Sequence, residues 1–135
     1  MDVRYHILMP VDRDPDRATA QVDYLLDSPM APEDLVVRIL YVLRREDAEI
    51  EEPADFDGNE AAIEAANRLE GAGATVARRM DTGPVAKAIL EHAEEIDADQ
   101  IVMSGRKRDG VSDVFLGSTA TDIIQASKRP VVMTG

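Results

Sequence analysis

The chain predicts an α/β protein built on a parallel sheet with helices on both faces. Three observations predict it. Five short apolar runs, Val3–Val11, Leu35–Leu43, Ala74–Met80, Gln100–Ser104 and Pro130–Met133, have the length and β-branched content of buried strands. Segments with apolar residues at helical spacing lie between them. Asp, Gly and Pro stand at the junctions. Alternation of this kind joins parallel strands through right-handed crossovers, so the helices cover both sheet faces.

Each element has its own reason. Val3–Val11 is apolar apart from Arg4 and His6, and Pro10-Val11-Asp12 closes it. After the turn-rich Asp12-Arg13-Asp14-Pro15-Asp16, the residues Ala18, Val22, Leu25 and Leu26 form a helical stripe that Asp27-Ser28-Pro29 stops. Leu35–Leu43 is nearly continuous in apolar residues, the mark of a central strand covered on both faces. Residues 44–59 carry seven acidic side chains around Pro53 with no face to bury, and read as a loop or lid. Asp57 and Glu60 have capping-box spacing ahead of the Ala62, Ala66, Leu69 stripe, which ends near Gly71 and Gly73. Thr82-Gly83-Pro84 opens a helix carrying Val85, Ile89, Ala93 and Ile96 on one side. A last helix is expected over Ser118–Ser127.

A length of 135 residues suits one domain, and the expectation is a single domain over residues 1–135. With 44% hydrophobic and 31% charged residues the balance is globular, and the absence of cysteine excludes disulfides and thiolate metal sites. No apolar run approaches the ~20 residues that span a bilayer. Met1-Asp2-Val3-Arg4 leads straight into a strand-like run with no signal-peptide core, so a soluble, cytoplasmic protein is expected. The formal net charge is −12, with only three lysines (Lys87, Lys107, Lys128) among 15 basic residues. Such a surface repels a phosphate backbone and argues against nucleic acid as a partner. Acid excess with scarce lysine is read as adaptation to high salt, the alternative being an ordinary acidic cytoplasmic protein.

In open parallel sheets ligands sit at the carboxyl ends of strands where chain order reverses, which directs attention to the tips after strands one and four. At the first tip Asp12 is suited to a ribose hydroxyl or a base edge; its other reading is a turn-forming or capping aspartate. Asp12, Asp14 and Asp16 lack the glycine and the closing glutamate of a calcium loop, and no metal site is expected. At the other tip, Ser104-Gly105-Arg106-Lys107-Arg108-Asp109-Gly110 leaves a strand and Gly117-Ser118-Thr119 opens a helix. That layout offers backbone amides, hydroxyls and positive charge to an anion, and it equally fits a solvated loop with a capped helix. Neither a Walker A motif nor GxGxxG is present. His6 and His92 fall inside regular elements and read as structural or surface residues, so no catalytic residue is expected.

Taken in order, Ile7-Leu8-Met9-Pro10-Val11-Asp12, Tyr41-Val42, Ala98-Asp99-Gln100-Ile101-Val102-Met103, Phe115-Leu116-Gly117-Ser118-Thr119-Ala120 and Arg129-Pro130-Val131-Val132-Met133 resemble the universal stress protein family over nearly the whole chain. The resemblance implies a Rossmann-like, five-stranded parallel sheet in the order 3-2-1-4-5. It also implies a homodimer through the last strand, with Pro130, Val131, Val132 and Met133 at the interface. ATP-binding members carry G-x2-G-x9-G-S/T after the fourth strand; here Ser104 and Lys107 replace the first two glycines, Gly105 stands one place late, and Gly117 and Ser118 match.

The implied ligand is ATP or another adenine nucleotide, with or without magnesium. Pro10, Val11, Asp12 and Val42 would meet the nucleoside, Ser104, Gly105, Arg106, Gly117, Ser118 and Thr119 would lie at the phosphates, and Met103 would also line the nucleotide site. With no general base in view, the implied role is regulatory sensing in a stress response, with weak hydrolysis at most. A dimeric interaction module without nucleotide, and a slow metal-dependent ATPase or phosphotransferase, are the alternatives.

Overall fold

The computed structural model describes residues 3–44, 56–107, 114–115 and 117–135. Strand β1 (Tyr5–Val11) leads to helix α1 (Pro15–Asp27), and β2 (Leu35–Leu43) to α2 (Glu60–Ala72). Then come β3 (Thr75–Thr82), α3 (Val85–Glu95), β4 (Gln100–Ser104), a ribbon of β5 (Arg106–Lys107) and β6 (Val114–Phe115), α4 (Ser118–Ala126) and β7 (Val131–Thr134). Five parallel strands form the sheet β3-β2-β1-β4-β7, so the order agrees with 3-2-1-4-5, and β5 and β6 pair antiparallel outside it.

Side chains alternate across the strands and divide the core in two. Ile7, Met9 and Val11 of β1, with Val37, Ile39 and Tyr41 of β2, pack against α1 and α2. Leu8, Leu40, Ile101 and Met103 face the other way, onto Ile89 and Ala93 of α3 and Ile123 of α4. On α2 the buried residues are Ala61, Ala62, Ala65, Ala66 and Leu69, small side chains that let it lie close to α1.

Several boundaries move, each for a physical reason. The first paired residue of β1 is Tyr5, opposite Leu35 where β2 begins, and Val3 lies before the strand, half exposed. β3 runs on to Thr82 because β2 offers Val42 and Leu43 as partners for Asp81 and Thr82. The cap of α2 is Asn59, whose Oδ1 accepts the Ala62 amide; Asp57 sits in a 3₁₀ turn (Phe56–Gly58) and does not build the capping box. Pro130 precedes β7, contributing its carbonyl to the Ile101 amide at 2.9 Å, and Thr134 joins the strand opposite Ser104. The last helix ends at Ala126 with Ser127 as its C-cap. The acidic stretch over 45–55, read as a lid, lies outside the described residues.

Candidate functional site at the switch point

The order in which strands are added reverses between β1 and β4, although the two run parallel. α1 leaves β1 toward one face and α4 follows β4 on the other, so the chain diverges at the two tips, the topology at which open parallel sheets form their crevice. The paired register between these strands is Ile7↔Gln100 and Leu8↔Ile101. Continued two places, it sets Pro10 opposite Met103, where a backbone amide would donate to the Val102 carbonyl. Proline has no amide proton. Instead Gln21 of α1, 2% exposed, donates through Nε2 to both the Pro10 carbonyl at 2.7 Å and the Val102 carbonyl at 2.9 Å.

Asp12 stands one residue past β1. Its Oδ1 accepts the Asp14 amide at 2.9 Å, an Asx turn, and its Oδ2 accepts from Arg17 Nη1. Asp14 in turn caps α1 through bonds from the amides of Asp16 and Arg17. Buried Asn59 donates from Nδ2 to the Asp12 carbonyl at 3.0 Å. Arg13 Nε donates to the Tyr41 hydroxyl at 2.8 Å, with the guanidinium 5.7 Å from the ring centroid. The first tip is therefore held from α1, β2 and the start of α2, and the turn-forming role of Asp12 is realised. Its carboxylate remains about half exposed, with lone pairs left to accept.

Val42 and Met103 pack with the second core, on the α3 and α4 side of the sheet. Val11 turns its side chain into the first core and presents its backbone at the tip, beside partly exposed Pro10. At the β4 tip Ser104 is half-buried, and Gly105 spends its amide on the Thr134 carbonyl at 2.9 Å. The displaced glycine thus extends the β4–β7 pairing, and its amide is committed to the sheet. The side chain of Arg106 lies outside the described residues.

α4 begins differently from α1 and α2. Its N-cap is Gly117, which supplies no side-chain cap, and a Cβ placed there would meet nothing within 4 Å among the described residues. The backbone is ordinary extended chain (φ −71°), so neither conformation nor packing against the described residues calls for glycine. Ser118 is exposed and Thr119 partly so. Free first-turn amides, two hydroxyls and the helix dipole together make an anion-accepting end. Among the described residues no group of three or more His, Asp or Glu side chains is placed to hold a metal ion, and no helix is long and apolar enough to cross a membrane.

Sequence reasoning missed Gln21, although it stands on the Ala18–Val22–Leu25 side of its helix, a position where a polar residue signals a bonded partner. It also missed Asn59 and a network on the α3 side. There Arg38 of β2 meets His92 Nδ1 at 3.0 Å and Glu95 at 3.4 Å, and His92 Nε2 lies 3.1 Å from Asp81 Oδ2.

An open parallel sheet in the order β3-β2-β1-β4-β7 with helices packed on both faces defines a doubly wound α/β domain. The model of the universal stress protein family matches residues 4–135, and the chain belongs to that family. Among solved structures, a universal stress protein from Archaeoglobus fulgidus is 21% identical with a TM-score of 0.75, covering 98% of this chain and 100% of that one. The structure of the Archaeoglobus fulgidus universal stress protein in complex with dAMP is 21% identical, TM-score 0.72, covering 98% and 99%. A universal stress protein in complex with cAMP is 20% identical, TM-score 0.65, covering 97% and 96%. These likenesses establish the fold. No curated protein sequence matches the chain.

Proposed function

We propose that this protein is a cytoplasmic, single-domain regulator of a stress response that binds an adenine nucleotide at the β1/β4 crevice and dimerises through β7. The observation that carries the reading is the start of α4, where Gly117 gives the first turn no side-chain cap and a Cβ placed on it would meet nothing within 4 Å among the described residues. Phosphates would lie there, against Ser118 and Thr119. The nucleoside would lie over Val42, with its ribose hydroxyls donating to Asp12 and the backbone of Pro10 and Val11 alongside. The dAMP and cAMP complexes of structural neighbours support an adenine ligand. Met103 forms the apolar floor, and Ser104 and Arg106 flank the phosphate end. No histidine lies at the crevice to activate water: His92 is engaged by Arg38 and Asp81, and His6 lies in β1. The role is therefore sensing.

The bond from Gly105 to Thr134 favours a second reading, an interaction module that has given up the nucleotide, because it removes one phosphate-facing amide. One experiment separates the two. The protein is purified in high salt, as its charge of −12 recommends, then denatured, and any released nucleotide is identified by chromatography; ATP, with and without magnesium, is titrated into ligand-free protein. A stoichiometric adenine nucleotide, or micromolar binding lost in Asp12→Ala, is the expected result. Neither nucleotide nor binding overturns the sensor in favour of the module.

A further inference from the structure

We propose that Gln21 is a positioning residue that sets the distance between the two halves of the nucleotide site, an inference that rests on the reading above. The two carbonyls it bridges belong to Pro10 and Val102, and each lies within two residues of a site tip: Asp12 follows one, Ser104 the other. Both bonds come from one nitrogen, so one side chain fixes both strands at once. Its burial holds it there, because a glutamine that is 2% exposed cannot trade these partners for water.

The bridge replaces a rung of the sheet and does not add to one. Pro10 cannot donate to the Val102 carbonyl, so the β1–β4 ladder cannot continue to the tips. A direct rung would bring the strands to the ordinary spacing of neighbours, about 4.8 Å. An amide at the end of a glutamine side chain, inserted between two carbonyls, satisfies both while holding them apart. α1 is itself tied to β4 one turn further on, where the Tyr24 hydroxyl donates to Gln100 Oε1 at 3.0 Å, so Gln21 projects from a helix that is fixed against both strands. The nucleoside half of the site belongs to β1 and β2 and the phosphate half to β4 and α4. Their separation matters only to a ligand that touches both.

That gives a test which general weakening of the fold would not mimic. In Gln21→Leu, ATP affinity measured by calorimetry should fall about tenfold while adenosine, confined to the nucleoside half, changes less than about twofold. Equal losses for both ligands, or none for ATP, would overturn the proposal. Because Gln21→Leu leaves two buried carbonyls unserved, Pro10→Ala/Gln21→Leu is made alongside it, with Pro10→Ala as its reference. The new amide serves the Val102 carbonyl, so thermal stability should return, while ATP binding stays weak because the tips are drawn together. Recovery of the ATP-to-adenosine ratio together with stability would reduce Gln21 to a structural support. Should the wild type bind neither ligand, the nucleotide reading falls and the spacer is read from amide exchange. The amides of Asp12 and Ser104 should then exchange at least about tenfold faster in Gln21→Leu, relative to those of α2; unchanged exchange refutes the spacer.

Discussion

Arg17 donates to the carboxylate of Asp12 across the first turn of α1, and it also reaches Asp14 at 3.4 Å. The acidic residue proposed to meet the ribose is thus engaged by its own chain before any ligand arrives. Part of its acceptor capacity is spent, and a ribose must share what remains.

Removing that competition should strengthen binding. Arg17→Ala is expected to raise the affinity for adenosine about threefold and to cost less than ~1 kcal/mol of stability, since the pair is partly exposed. Asp12→Ala should lower adenosine affinity at least about tenfold, because a charge-assisted hydrogen bond is lost. Isothermal titration of both variants checks this. A loss of affinity in Arg17→Ala would show that the arginine orients the carboxylate and does not compete for it.

Gly117 offers a separation of stability from binding. Gly117→Asp adds a capping side chain to α4 at a position with ordinary backbone and no described neighbour within 4 Å of an added Cβ, so stability measured by urea titration should rise by a few tenths of a kcal/mol. The same carboxylate would occupy the anion position, and ATP affinity should fall at least about tenfold by repulsion and obstruction. Unchanged ATP binding would place the phosphates elsewhere.

Asn59 ties α2 to the first tip through two bonds, one accepted from Ala62 and one donated to Asp12. Asn59→Ala should cost about 2 kcal/mol, combining a lost N-cap with an unserved carbonyl. Asn59→Asp keeps the cap acceptor but cannot donate to the Asp12 carbonyl while ionised, so at neutral pH it should remain less stable than the wild type. Equilibrium denaturation reads both.

The outer edge of β7 is available for a second copy. Its inner side pairs with β4 through Ile101↔Val131 to Ser104↔Thr134, and no strand covers the other side among the described residues. An uncharged edge strand is a template for pairing. Val132→Lys is expected to give monomers by size-exclusion chromatography with light scattering. Since Val132 also packs against the first core, circular dichroism must confirm that the variant is folded. A folded variant that still runs as a dimer refutes this interface.

The alternation of strands and helices was legible in the sequence because each element carries its own pattern. Val36, Val37 and Ile39 mark a covered strand wherever the chain places it, and Ile89 and Ala93 share a helix face by spacing alone. The family motifs marked the ends of β1 and β4 in the same way. Sequence could not say which partner each polar group takes. Gly105 reads as a phosphate turn until Thr134, 29 positions later by number, is seen to take its amide. Asp57 and Asn59 are both competent caps, and the 3₁₀ turn at Phe56–Gly58 decides between them.

Periodicity and composition, which are local, determined the fold class and the strands. The tertiary structure alone decided that Gln21 bridges Pro10 and Val102, 81 residues apart from the latter in sequence, and that Arg17 closes on Asp12. The physical reason is that apolar burial is satisfied by any neighbour of suitable shape, whereas a hydrogen bond needs one particular atom within about 3 Å and in the right direction. Those atoms come together only when the strands are in register.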